Sequence, residues 1–297
     1  RQVREQRKIL VNYLYPRLPM YQRQGASALK KKLDNIQALC RELGEPQQRF
    51  RSLHVAGTNG KGSCSHMLAA ILQQAGFKTG LYTSPHLKDF TERVRVNGMA
   101  ISPEAVTTFV QKVKPLIETL GPSFFEITVA MAFDYFATEA VDYAVVEVGV
   151  GGRLDSTNVI MPAVSLITNI GWDHMDMLGD TLPKIAFEKA GIIKPGVPVA
   201  VSERQPAVEA VFREQAAAKN APLYFATDTW QACTVAHPFT IDLLKNGGSW
   251  LTNLSPDLKG AYQLQNIPGV MQALELLPAD IREKITQGHI RQAALRG

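Results

Sequence analysis

The densest chemistry in this sequence lies in Gly57-Thr58-Asn59-Gly60-Lys61-Gly62-Ser63. Glycines let the backbone fold back so that several N–H groups face one anion, and a helix that starts there adds its positive end. Lys61 can reach the outer phosphates of a polyphosphate, and Ser63 can touch a magnesium ion. In the common phosphate-loop pattern a serine or threonine follows the lysine directly; here Gly62 intervenes. An apolar strand before the loop and an amphipathic helix after it distinguish a nucleotide cradle from an ordinary glycine turn.

Three other polar clusters end apolar runs: Thr83-Ser84-Pro85-His86, Glu147-Val148-Gly149, and Asn169-Ile170-Gly171-Trp172-Asp173-His174. In an open parallel sheet the ligand sits beyond the carboxyl ends of the strands, so these clusters and the phosphate loop share one edge. Ser84, Glu147 and His174 then form a plausible magnesium shell, because magnesium takes oxygen ligands and keeps waters and phosphate oxygens. Each residue also has a plainer reading. Glu147 could pair with Arg153, His174 could be a buried hydrogen-bonded histidine, and Ser84 could be a turn hydroxyl before Pro85. Lys189 ends a helix closed by Gly191, where a lysine satisfies the helix dipole. Cys64 suits a small packing position.

The elements that must position these groups alternate. Helical spacing over 27–43 stops at Gly44 and Pro46. Strands are predicted at 78–83, 143–146, 163–168 and 197–201, and helices at 65–75, 103–119, 125–139, 180–190 and 206–219. Arg93-Val94-Arg95-Val96 meets Asn97-Gly98, a hairpin expected to project from the sheet. The fold class is therefore α/β, a doubly wound, mostly parallel sheet. From about Pro222 the strands shorten (230–235, 238–244, 249–253) and suit a small antiparallel sheet, before helices at 262–277 and 279–293. The expected divisions are N-terminal helices over 1–49, a parallel core over 50–221, the small sheet over 222–260 and C-terminal helices over 261–297.

With 297 residues, 45% of them hydrophobic, the chain can bury a large core. A net charge of +5, spread along the chain, suits anionic small molecules and does not argue for nucleic acid. Cys40, Cys64 and Cys233 have no zinc or disulfide spacing, and no apolar run approaches a membrane span. These features lead to the expectation of a cytoplasmic monomer with no membrane partner.

The phosphate loop with its extra glycine, the Asn169–His174 block and Glu188 to Ile192 resemble the ATP-dependent Mur ligase superfamily. Ser84-Pro85-His86-Leu87, Phe90, Glu92-Arg93, Asn97-Gly98, Glu147 to Asn158, and Leu258-Lys259-Gly260 to Asn266 resemble its folylpolyglutamate synthase and dihydrofolate synthase branch. The resemblance implies a ligase in which ATP phosphorylates the carboxylate of a folate or dihydropteroate and the amine of L-glutamate attacks the acyl phosphate. It implies that Lys61 and the backbone of Gly57, Thr58, Asn59, Gly60, Gly62 and Ser63 hold ATP. It places one Mg2+ on Ser84 and Glu147, and a second shared by Glu147 and His174. It further implies that Lys189 is carbamylated, that Asn266 lies near the adenine, and that Phe125 and Asp155 line a pterin pocket. The segment from Pro85 to Arg95 resembles a mobile cover over the pteroate. Members of the branch carry a further glutamate-binding domain, so the sequence reads as the ATP-binding part of such an enzyme, inactive alone. Another Mur-type amino-acid ligase and a nucleotide-binding module without ligase activity are the competing readings.

Overall fold

The computed structural model describes residues 33–85, 88–235, 240–255 and 263–294, together with Arg4 and Lys8. The expected helix before residue 33, His86, Leu87 and Leu258-Lys259-Gly260 lie outside the described residues. In chain order the elements are α1 (Asp34–Glu42), β1 (Arg51–Ala56), α2 (Lys61–Gln74), β2 (Thr79–Tyr82), β3 (Val94–Val96), β4 (Met99–Ala100), α3 (Pro103–Leu120), α4 (Phe124–Thr138) and β5 (Tyr143–Glu147). They continue with β6 (Val164–Ile167), α5 (Met175–Leu178), α6 (Leu182–Ala190), β7 (Val199–Val201), α7 (Glu209–Ala218), β8 (Leu223–Phe225), β9 (Trp230–Val235), β10 (Thr240–Lys245) and β11 (Gly248–Leu254). Helices α8 (Gln263–Glu275), α9 (Ala279–Arg282) and α10 (Gln287–Ala294) complete the described chain.

The main sheet has the order β4-β3-β2-β5-β1-β6-β7-β8, with β2, β5, β1, β6, β7 and β8 parallel. Its central strands are apolar runs because both faces are covered. Alternation still sorts the side chains: Ala144 and Val146 join the core under α3 and α4, while Tyr143 and Val145 join the core under α2, α8 and α10. After β1 the chain crosses to β2 on one side, and after β5 it builds outward through β6 on the other. The crevice at the carboxyl end of β1 is thus the topological switch point.

The hairpin does not project. Strand β3 pairs antiparallel with β2, and Asn97 fastens the turn by accepting from Thr79 N at 2.9 Å through its side chain and donating its own N–H to Thr79 O at 2.8 Å. The parallel sheet also runs past 221, because Leu223–Phe225 pairs with β7 as its edge strand. The second sheet, β11-β10-β9, is antiparallel as expected. The terminal helical region is divided into α9 and α10 instead of one helix. Phe90–Arg93, within the expected mobile cover, forms a 3-10 turn capped by Asp89, with Phe90 and Arg93 buried. Among the described residues no helix is long and apolar enough to cross a membrane.

His54 lies at the centre of β1, fully buried, and its pKa falls to about 3 because burial, then Lys194, disfavours the charged ring. The unfolded chain takes up this proton near the ordinary value of about 6.5. Folding stability therefore declines as pH drops below that value, by about 2 kcal/mol at pH 5, and the decline continues toward pH 3. Urea midpoints of His54→Gln are expected to lose less between pH 7 and 5 than those of the parent; equal losses would show that other groups set the acid sensitivity.

Candidate active site

The phosphate loop leaves β1 and enters α2 through Gly60, which has a left-handed φ of 82°. A tight set of bonds ties it to the loop after β6. Thr58 N donates to Asn169 O at 2.9 Å, and Asn59 N donates to Asn169 Oδ1 at 3.0 Å. Thr168 Oγ1 and Asn169 Nδ2 both donate to Asn59 O, at 2.6 and 3.1 Å. Gly171 N donates to Thr58 Oγ1 at 2.8 Å. Gln205 clamps the partner loop in turn, accepting from Ile170 N and donating to Ile170 O, both at 2.8 Å. Lys61 begins α2 and points its Nζ back to Gly57 O at 2.9 Å.

Glu147 ends β5 beside this loop. It is 4% exposed, Ser84 N donates to its Oε2 at 3.2 Å, and a Cβ built on Gly62 would stand 3.9 Å from its Oε1. Burial raises its pKa to about 7 against the opposing pull of Lys61 and the Ser84 N–H. Arg153 does not neutralise it, since that guanidinium makes a two-pronged contact with Glu188 at 2.9 and 3.0 Å. The plainer reading of Glu147 as the partner of Arg153 therefore fails. A buried carboxylate with one backbone donor and incomplete charge compensation fits a divalent cation whose other ligands are waters and phosphate oxygens.

His174 is exposed and left-handed, with φ 38°, at the start of α5, so it is not the buried histidine of the plainer reading. Among the described residues no three His, Cys, Asp or Glu side chains gather as a metal-binding set. Lys189 is 1% exposed and does more than cap α6: its Nζ donates to Asp173 Oδ2 at 3.1 Å. Burial lowers its pKa while Asp173 opposes the shift. Asp173 was not singled out from the sequence, although it follows an apolar strand end as the rule for parallel sheets requires; its Oδ1 is buried without a partner. Gln205 left no comparable signal.

The remaining expectations divide. Asn266 is buried with its Oδ1 against Gly60, where a Cβ would meet it at 2.2 Å, and its Nδ2 has no partner. Phe125 and Asp155 meet over Gly149, whose added Cβ would lie 2.4 and 3.0 Å from them. Asp155, however, is turned inward: Oδ1 accepts from Gly149 N and Val150 N at 3.1 and 2.9 Å, and Oδ2 from Thr157 N and Oγ1 at 3.1 and 2.5 Å. With its lone pairs so engaged and 1% of its surface exposed, it organises the loop beside Phe125.

An open parallel sheet with a glycine–lysine loop at its switch point and an acid on the adjoining strand defines a phosphate-binding α/β domain. Residues 55–272 match the Mur ligase middle domain, and the chain belongs to that family. It is 39% identical over 280 residues to a dihydrofolate synthase/folylpolyglutamate synthase of Bacillus subtilis, a match covering 90% of this chain and 63% of that protein. A folylpolyglutamate synthase structure from Thermotoga maritima superposes with a TM-score of 0.80 at 34% identity, covering 90% of this chain and 63% of that one. A folylpolyglutamate synthase solved with AMPPCP and folate gives 0.81 at 34%, covering 88% and 66%. The chain spans just under two thirds of the length of these relatives.

Proposed function

We propose that this chain carries the nucleotide-binding machinery of an ATP-dependent ligase that joins L-glutamate to the carboxylate of a folate or dihydropteroate. The observation that carries this reading is the juxtaposition of Glu147 with the Gly62 edge of a phosphate loop fastened through Asn59 to Asn169. The names of the relatives, and the AMPPCP and folate held by one matching structure, support the substrate classes.

In this reading the loop N–H groups from Gly57 to Ser63 cradle the phosphates, and Lys61 exchanges its bond to Gly57 O for the outer phosphate oxygens. Glu147 and Ser84 would hold a magnesium ion, which would supply charge neutralisation for the transferring phosphoryl group. His174 would share a second ion with Glu147. Asn266, already on Gly60, keeps a free N–H for the nucleotide. Phe125 packs beside Gly149 and Tyr82, with ring centroids of Phe125 and Tyr82 at 6.4 Å, and offers an aromatic wall to a pterin. The substrate carboxylate oxygen attacks the terminal phosphorus of ATP and expels ADP. The glutamate amine then attacks the acyl carbon, forms the amide and expels phosphate.

Lys189 is proposed to react as its neutral amine with carbon dioxide, forming an N–C bond and releasing a proton, which converts a cation into an oxygen donor. Its burial favours the neutral amine. Labelling with 13C-bicarbonate is expected to yield one carbamate carbon resonance that Lys189→Ala lacks. Lys189→Ala is expected to lose about 100-fold or more in turnover and to regain part of it with small carboxylates. A resonance unchanged in the variant would reject the assignment. The ligase reading itself is tested by giving the full-length enzyme ATP, labelled glutamate and each pteroate in turn. Product mass is expected to rise by one glutamyl residue, and nucleotide binding without product would favour a binding module.

A further inference from the structure

We propose that His54 and Thr157 are positioning residues, forming a buried hydrogen-bonded relay that fixes the loop leaving Glu147. This rests on the ligase reading only for its catalytic consequence. Neighbouring Leu53 and Val55 pack into the core beneath α2, whereas His54, between them in the central strand, faces the other side. A polar residue in the middle of a doubly covered parallel strand needs a specific partner. His54 Nε2 lies 2.8 Å from Thr157 Oγ1, and both residues are 0% exposed.

The direction of the relay follows from counting protons. The Thr157 hydroxyl has one, and it goes to the Asp155 carboxylate, 2.5 Å away. The Thr157 oxygen must then accept from His54, so Nε2 carries the ring proton and Nδ1, buried without a partner, does not. Asp155 passes the restraint on by holding Gly149 N and Val150 N. Glu147 lies two residues before that turn.

The same turn reaches the other side of the site. Asn158 Nδ2 donates to Arg153 O at 3.1 Å and to Gly191 O at 3.0 Å, and Arg153 N donates to Glu188 O at 2.8 Å. The segment held by the relay therefore bridges the end of β5, where Glu147 sits, and the end of α6, where Lys189 sits. The phosphate loop is fastened separately through Asn169 and Thr168. Breaking the relay should disturb the step that needs Glu147 and Lys189 while leaving the grip on the nucleotide largely intact.

The test compares Thr157→Val, which keeps the shape and removes the hydroxyl, with Thr157→Ser, which keeps it, in the full-length enzyme. Thr157→Val is expected to lower kcat about 10- to 100-fold with KM for ATP changed less than about twofold, and Thr157→Ser to restore kcat. Amide exchange at Gly149 and Val150 should speed up in Thr157→Val and not in Thr157→Ser; this readout stands even if the wild type ligates no glutamate. His54→Leu and His54→Gln provide a second pair should Thr157→Val not fold, with glutamine expected to retain the donor and the activity. Equal kcat in the valine and serine variants, a parallel rise in KM for ATP, or unchanged amide exchange would overturn the proposal.

Discussion

Glu147→Gln is expected to cut ligation by about a thousandfold while leaving the fold intact or slightly firmer. The two effects have one cause. Glu147 is 4% exposed, and its burial raises its pKa to about 7, so the ionised form is held in the free protein at a cost that Lys61, the Ser84 N–H and Arg93 offset only in part. Glutamine has the same shape, still accepts from Ser84 N and removes that cost. It also removes the charge that would hold magnesium against the phosphates. Thermal midpoints without magnesium should therefore be equal or higher in the variant, while any rise on adding magnesium and nucleotide should shrink. Unchanged turnover with unaltered magnesium dependence would remove Glu147 from the site.

What could be read from the sequence and what could not differ in the range of the interactions involved. Strands such as Tyr143–Glu147 and Val164–Ile167 were legible because burial on both faces demands an unbroken apolar run. The loop over 57–63 was legible because phosphate recognition needs glycine, lysine and hydroxyl within one turn. Strand β8 was not, since three residues after Pro222 at a sheet edge carry no period. That the hairpin at Asn97-Gly98 exists is a local property, but its place against β2 depends on the Asn97 bonds to Thr79. Long-range polar partners left no pattern at all: His54 and Thr157 are 103 residues apart, and Gln205 lies 35 from Ile170. Asp155 shows a further limit. A motif marks a carboxylate as present, but only the fold shows which backbone groups it engages.

Gly57→Ala is the second substitution with a large expected effect. Gly57 has φ 142°, a conformation that L side chains rarely adopt, and an added Cβ would lie 1.7 Å from Thr168 Oγ1 and 3.0 Å from Thr168 N. The hydroxyl could rotate away, but it is the group that donates to Asn59 O, and the backbone nitrogen belongs to the strand end that accepts the loop. Relief of the clash must therefore loosen the phosphate cradle from β6. The expected cost is about 2–4 kcal/mol of folding stability, read from urea unfolding, together with about a hundredfold weaker AMPPCP binding. Thr168→Ala alone should cost less, since it removes one bond without adding volume. Combining the two should recover part of the alanine penalty, because the closest steric conflict disappears while the backbone strain at residue 57 stays. Strictly additive losses in the double variant, or AMPPCP affinity unchanged in Gly57→Ala, would show that the loop can shift off Thr168 without losing its grip on phosphate.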